Sequence, residues 1–145
     1  MADGLYFRRQ NAVFNKLFKD LDKYAKDVIQ ELDAEMAAGV QDMATEAKRL
    51  APVDDSTLKN SIIAEKDKEL AYNLKANARY AAYVEFGTGP YAERYVPSLD
   101  QEWQEYAIDF KKTNPGHTPQ KPFFYPSVNK FFPLMIERMK KVIEK

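Results

Sequence analysis

The stretch "YAAYVEFGTGP", Tyr80–Pro90, decides how this chain is read. A phosphate loop of the Walker type needs a lysine and a hydroxyl directly after its glycines, and a dinucleotide loop needs a strand before them and a helix after. "GTGP" supplies none of these. Tyr80, Ala81, Tyr83 and Val84 instead fall on adjacent helical positions. Asn77 is placed to cap the start, and Gly87 can take the left-handed conformation that closes the end. The expectation is a short helix stopped by glycine.

Upstream of it, "NSIIAE" and "LAYNLKA" are β-compatible runs flanking the charged Lys66–Glu69, which predicts a hairpin with a four-residue turn. Before the hairpin, "APVDDSTLKNSI", Ala51–Ile62, carries proline, aspartate and serine that hold a tight loop by bonding their own backbone. Before that loop, Asn11 to Leu50 contains no proline. Its apolar residues recur at helical spacing: Phe14, Leu17, Leu21, Tyr24, Val28, Leu32, Met36, Val40, Met43, Ala47 and Leu50. One long amphipathic helix is predicted, bending at Gly39 and ending before Pro52. A stripe of that length has room for a second chain as well as the chain's own core.

Downstream, Pro90–Gln120 embeds Tyr91, Tyr95, Trp103, Tyr106 and Phe110 among glutamates and then reads "TNPGHTPQ". A short helix over Leu99–Lys111 and a turn-rich loop are expected there. "KPFFYPSV", bracketed by Pro122 and Pro126, reads as a short edge strand or extended segment. Val128, Phe131, Phe132, Met135, Ile136, Met139, Val142 and Ile143 form a last helical stripe, which Pro133 should kink or delay. The order is α+β, with the long N-terminal helix, a small antiparallel sheet with the short helix, and the C-terminal helix packed on that sheet. Residues 1–145 are expected to form a single domain with an insertion at about 90–119.

Bulk properties narrow the function classes. The 145 residues suit one domain, and 22 basic side chains balance 22 acidic ones, so no global field draws the chain to nucleic acid or an anionic membrane. There is no cysteine and one histidine, His117, which excludes disulfides, thiol nucleophiles and any metal site needing two imidazoles. No apolar run is long enough to span a bilayer, and "MADGLYFRRQNAV" lacks a signal peptide's apolar core, so a cytoplasmic protein is expected.

Candidate chemistry is sparse. A desolvated Glu85 could be a general acid or base, but nothing in the sequence places a partner such as His117 beside it. Ser56, Thr57 and Ser61 match no nucleophile elbow, and Asp54 and Asp55 suit turn hydrogen bonds better than a metal. The C-terminal "ERMKKVIEK" could touch phosphates, although cations in a last helical turn also complement its dipole. The Trp103, Tyr106 and Phe110 group could stack bases, but its acidic surroundings favour packing or protein contact. No cofactor or metal site is expected.

Three segments in this order resemble the tail-completion, or head-to-tail joining, family of long-tailed bacteriophages, whose members include neck and minor structural proteins. In the first, Ala51, Pro52, Val53, Asp54, Leu58, Ser61 and Ile62 match the family pattern, whereas Asp55 and Ser56 stand where threonine and glycine are usual. In the second, Tyr80, Ala81, Val84, Glu85, Phe86, Gly87 and Thr88 match closely. In the third, Pro122, Phe123, Phe124 and Pro126 match, with Ser127 in place of alanine. The resemblance implies a non-enzymatic virion protein at the head-tail junction, assembled in the host cytoplasm as a homo-oligomeric ring of about six copies. Its implied partners are a tail-tube protein and a head-connector protein, with no small-molecule substrate, membrane or specific nucleic acid. It also implies that Phe86 lies in the core, Gly87 caps the short helix and Glu85 satisfies nearby backbone or basic groups. Two other readings stay open: a small enzyme using Glu85 with His117, and a nucleic-acid-binding accessory protein.

Overall fold

Leu32, Met36, Val40, Met43 and Ala47 recur every three or four residues, and they build the helix on which the other described elements assemble. In the computed structural model, the described residues are 5–7, 26–52, 56–88, 90–105 and 119–144. Helix α1 spans Lys26–Leu50, with Asp27 in its first turn and Lys48 and Arg49 in its last, each complementing the helix dipole. It stops ahead of Pro52, as expected. The part of the predicted helix over 11–25 lies outside the described residues.

After α1 come α2 (Ser56–Ser61), strands β2 (Ile62–Lys68) and β3 (Ala71–Ala76), and α3 (Ala81–Phe86). Helix α4 (Pro90–Tyr95) and a 3-10 turn over Val96–Ser98 follow, then helical residues 101–105 and finally α5 (Phe124–Ile143). Strand β1 (Leu5–Phe7) pairs with β3, giving an antiparallel sheet of order β1-β3-β2. The register sets Ile62 opposite Ala76 and Ala76 opposite Leu5. Ile62, Leu74 and Ala76 are buried, and Ile63 is exposed, so the sheet turns one face to the core. The α+β class expected from sequence is the one observed.

Helix α1 contacts both β2 and β3, and α5 runs along α1. Lys130 of α5 pairs with Glu46 at 2.8 Å, and Arg138 pairs with Glu35 at 3.0 Å and Asp42 at 3.4 Å. Rising numbers on α5 therefore meet falling numbers on α1, and the two helices are antiparallel. Between them Phe132, Met135, Ile136 and Met139 meet the α1 stripe in one core. Each such side chain, fully buried, contributes about 1.5–3 kcal/mol. Gly39 sits in this seam. A Cβ there would lie 2.7 Å from Met135 Cβ, so the glycine permits a close approach within the continuous helix.

Several local expectations are corrected. The hairpin turn is two residues, Glu69 and Leu70, because β2 continues through the charged run to Lys68 with a bulge between Lys66 and Lys68. Leu70 takes a positive φ of 62°, and its N–H donates to Asp33 Oδ1 on α1 at 2.8 Å. Residues 56–61 form a helix instead of a loop, which drives Leu58 into the core. Asn77 does not cap α3, whose N-cap is Tyr80 without a side-chain bond; the Asn77 N–H donates to Ser61 O. "KPFFYPSV" is not a strand: α5 begins at Phe124, and Pro126 lies in its first turn, where a missing N–H costs no helical bond. Helix α5 likewise starts well before Pro133, whose ring is solvent-exposed.

Candidate functional site

The first amides of an α-helix have no partner within the helix, and burying them without one is costly. Helix α5 begins in the protein interior. Phe123 and Phe124 are both 0% exposed, and the N-cap Phe123 has no side-chain oxygen to offer. The acceptor comes from another element. Glu85, on the last turn of α3, accepts the Phe123 and Phe124 N–H groups on Oε2 at 2.9 and 2.8 Å, and the Tyr125 N–H on Oε1 at 2.8 Å. A carboxylate also complements the positive end of the α5 dipole.

The neighbouring main chain is tied in the same way. Gly87, at φ 75°, ends α3 with its N–H donating to Tyr83 O at 3.0 Å, and the Lys121 N–H donates to Val84 O at 2.7 Å. Trp103 closes the other side. Its ring meets Phe124 and Tyr125 edge-on, with centroids 5.9 and 5.0 Å away, and it is almost fully buried. Burial pushes the Glu85 carboxyl above its ordinary value of 4.5, opposed by the Phe124, Tyr125 and Phe123 amides. Burial raises the Tyr95 hydroxyl, and the nearby Glu85 charge adds to that rise.

Both oxygens of Glu85 are thus engaged by main-chain donors, which is the geometry of a structural carboxylate. His117, the partner that a catalytic reading would need, lies outside the described residues, as do Asp54, Tyr106 and Phe110. Of the other residues singled out in sequence, Phe86 and Thr88 are buried, Val84 and Tyr80 half-buried, and Leu58 fully buried. Pro52 follows the end of α1, Ser61 Oγ donates to Leu58 O at 2.7 Å, and Pro122 leads into the α5 cap. The structure therefore joins the second and third quoted segments through Glu85, and places the described residues of the first, 51–52 and 56–62, between the end of α1 and the start of β2. Among the described residues no group of three or more His, Cys, Asp or Glu side chains is arranged to hold a metal. None of their helices is long and apolar enough to cross a membrane.

Trp103, for which the sequence favours packing or protein contact, forms part of the core beside α5. Two features escaped the sequence reading. Asp33 accepts from Lys66 Nζ and Tyr72 Oη, each at 3.0 Å, as well as from Leu70, pinning α1 to the hairpin. Glu46 binds Lys130 and Arg49 while buried on α1. The partners Lys66, Leu70, Tyr72 and Lys130 lie far along the chain from Asp33 and Glu46, beyond the reach of local patterns, whereas the Glu46–Arg49 pair is three residues apart on one helix.

Comparison with known proteins adds one family. No curated protein and no solved structure matches the chain. Residues 15–87, from within the predicted first helix to the glycine that ends α3, match the family model described as "Bacteriophage HK97-gp10, putative tail-component". The chain belongs to this HK97-gp10-like family of bacteriophage tail components.

Proposed function

We propose that the chain is a tail-completion subunit that forms a ring, of about six copies, at the top of the tail tube and joins the tail to the head. The observation that carries this reading is the family match over residues 15–87, extended by the Glu85 junction. The match ends at Gly87, yet the carboxylate two residues before that end is completed by the "PFF" segment that the tail-completion pattern places before the last helix. The whole of residues 1–145 then acts as one domain, in which 90–119 is an insertion and Pro52, Asp54, Tyr80, Glu85, Gly87, Pro122 and Pro126 shape the fold or its contacts.

A ring is a closed set of heterologous contacts and requires two different faces on each subunit. Tyr83, Ile63 and Leu134 are large apolar side chains that stay exposed on three different elements, which supports more than one contact face. In this reading the chain does no chemistry, takes no cofactor, and resides in the virion at the head-tail junction after assembly in the host cytoplasm. Its partners are copies of itself, the tail-tube protein and the head-connector protein. The test is assembly of purified chain with each of those two proteins, read by sedimentation and electron microscopy. Ring-bearing tube ends or connector complexes are expected; no association with either protein at micromolar concentration overturns the reading.

A further inference from the structure

We propose that neighbouring copies of the chain join through two faces of opposite charge: the solvent side of α5 on one copy receives the acidic turn at 97–105 of the next. This rests on the ring reading and names the subunit contact of that ring. Charge defines both faces. Along α5 the exposed charged residues are Lys130, Lys140 and Lys141 against Glu137. Lys130 is 59% exposed and shares the buried Glu46 with Arg49, so one carboxylate answers two cations. The outer side of α5 is left positive. Lys130, Leu134 and Lys141 recur at helical spacing on that side, and Leu134, between the two lysines, is 49% exposed.

The complementary face follows α4. From Val96 to Glu105 the chain carries Asp100, Glu102 and Glu105 and no lysine or arginine. Trp103 of this segment packs inward, while Asp100, Glu105 and Pro97 are exposed. The Gln104 side-chain amide ties Pro97 to the same turn, donating to Pro97 O at 3.4 Å and to Leu99 O at 2.7 Å. An apolar Pro97 beside carboxylates thus matches an apolar Leu134 beside ammonium groups. The two faces cannot meet within one chain. Trp103 holds the acidic turn against the core-facing Phe124 and Tyr125, whereas positions 130 and 134 lie about 150° around the helix from the midpoint of 124 and 125. Each copy therefore offers one face to each neighbour, the heterologous contact from which a ring is built. Opposite charge also steers the encounter and suppresses pairing of like faces.

The test is a reversal of charge in the full-length chain, read by sedimentation equilibrium at low salt. One variant is Asp100→Lys/Glu105→Lys and the other is Lys140→Glu/Lys141→Glu, all at exposed positions. Urea midpoints check that each remains folded. Wild type is expected to self-associate, and less so as salt rises. Each variant alone sets like charges against each other and should associate at least about tenfold more weakly. Mixing the two variants should restore association, because every contact between unlike copies then pairs opposite charges. Variants that associate as wild type does, or a mixture that fails to recover, overturn this contact and leave the ring standing. If a reversal unfolds the chain, Leu134→Glu decides alone: weakened association supports the contact, and unchanged association overturns it. A wild-type chain that stays monomeric also overturns it, and the ring is then judged by assembly on the tail-tube or connector protein.

Discussion

Glu85 Oε2 accepts the main-chain N–H of Phe124 at 2.8 Å, joining the end of α3 to the first turn of a helix 39 positions further along the chain. The bond explains why a glutamate sits on the buried side of a six-residue helix otherwise built from Ala81 and Phe86. A helix that starts inside a core needs an acceptor there, and Phe123 has none. The short helix and its glycine stop hold that acceptor in place, and Lys121 N–H on Val84 O fixes the incoming strand of chain beside it.

Glu85→Gln presents an amide NH2 group to at least one of the three main-chain donors and should cost on the order of 1–3 kcal/mol, the penalty of a buried unsatisfied group. Glu85→Ala leaves all three donors unpaired and adds a cavity, so its loss should be larger. Urea unfolding followed by tryptophan emission measures both, because Trp103 is the one tryptophan and it reports from beside α5. The native emission should already be red-shifted in Glu85→Ala. Equal midpoints for wild type and both variants would mean that Glu85 does not cap α5.

Gly39→Ala tests the seam between α1 and α5. Alanine is the better helix former by about 1 kcal/mol, so in an isolated helix the change would stabilise. Here the new methyl group meets Met135 Cβ at 2.7 Å, and overpacking of this kind costs about 1–3 kcal/mol. The expected outcome is net destabilisation in thermal or urea unfolding. Adding Met135→Ala should give a double variant less destabilised than the sum of the singles, since the shared clash is relieved at Cγ and Sδ. Strict additivity would place the two residues out of contact.

Periodicity and proline made the architecture legible: the α1 stripe, the stop before Pro52, the hairpin and the glycine stop of α3 each follow from neighbours within a turn or a strand. The misreadings arose where a partner far along the chain, or a position within an element, reversed a local rule. Pro122 and Pro126 signalled an extended segment, but Pro126 falls in the first turn, where its missing N–H is harmless. Gly39 is legible in sequence only as a missing side chain, and Met135 on another helix shows what the space is for. Asp33 shortened the hairpin turn in a similar way, by offering the Leu70 amide an acceptor that the hairpin itself lacks. Glu85 stood out by its surroundings, yet its partners are backbone groups, which carry no sequence signature.

The acid response follows from carboxylates shifted in opposite directions. Lys130 and Arg49, both hydrogen-bonded to Glu46, hold its carboxyl below the ordinary 4.5. Burial pushes Asp33 up, but the Leu70 amide, Lys66 and Tyr72 together outweigh it and hold the group below 3.8. A lowered folded value means that the stabilisation is present above the unfolded value and lost as pH falls through the folded one. Both groups therefore predict loss of stability below about pH 4.5, each with a slope of at most about 1.4 kcal/mol per pH unit, and Glu46→Gln should flatten that loss. Glu85 has the reverse sign. Its folded value is raised, so the fold gains stability as pH falls through that value toward 4.5, and ionisation works against it above. Urea midpoints across pH 3–8 should show the gap between wild type and Glu85→Gln widening as pH falls toward 4.5. A gap that closes over the same range would show that the three amides outweigh burial and hold the carboxylate ionised more firmly in the fold than in the open chain.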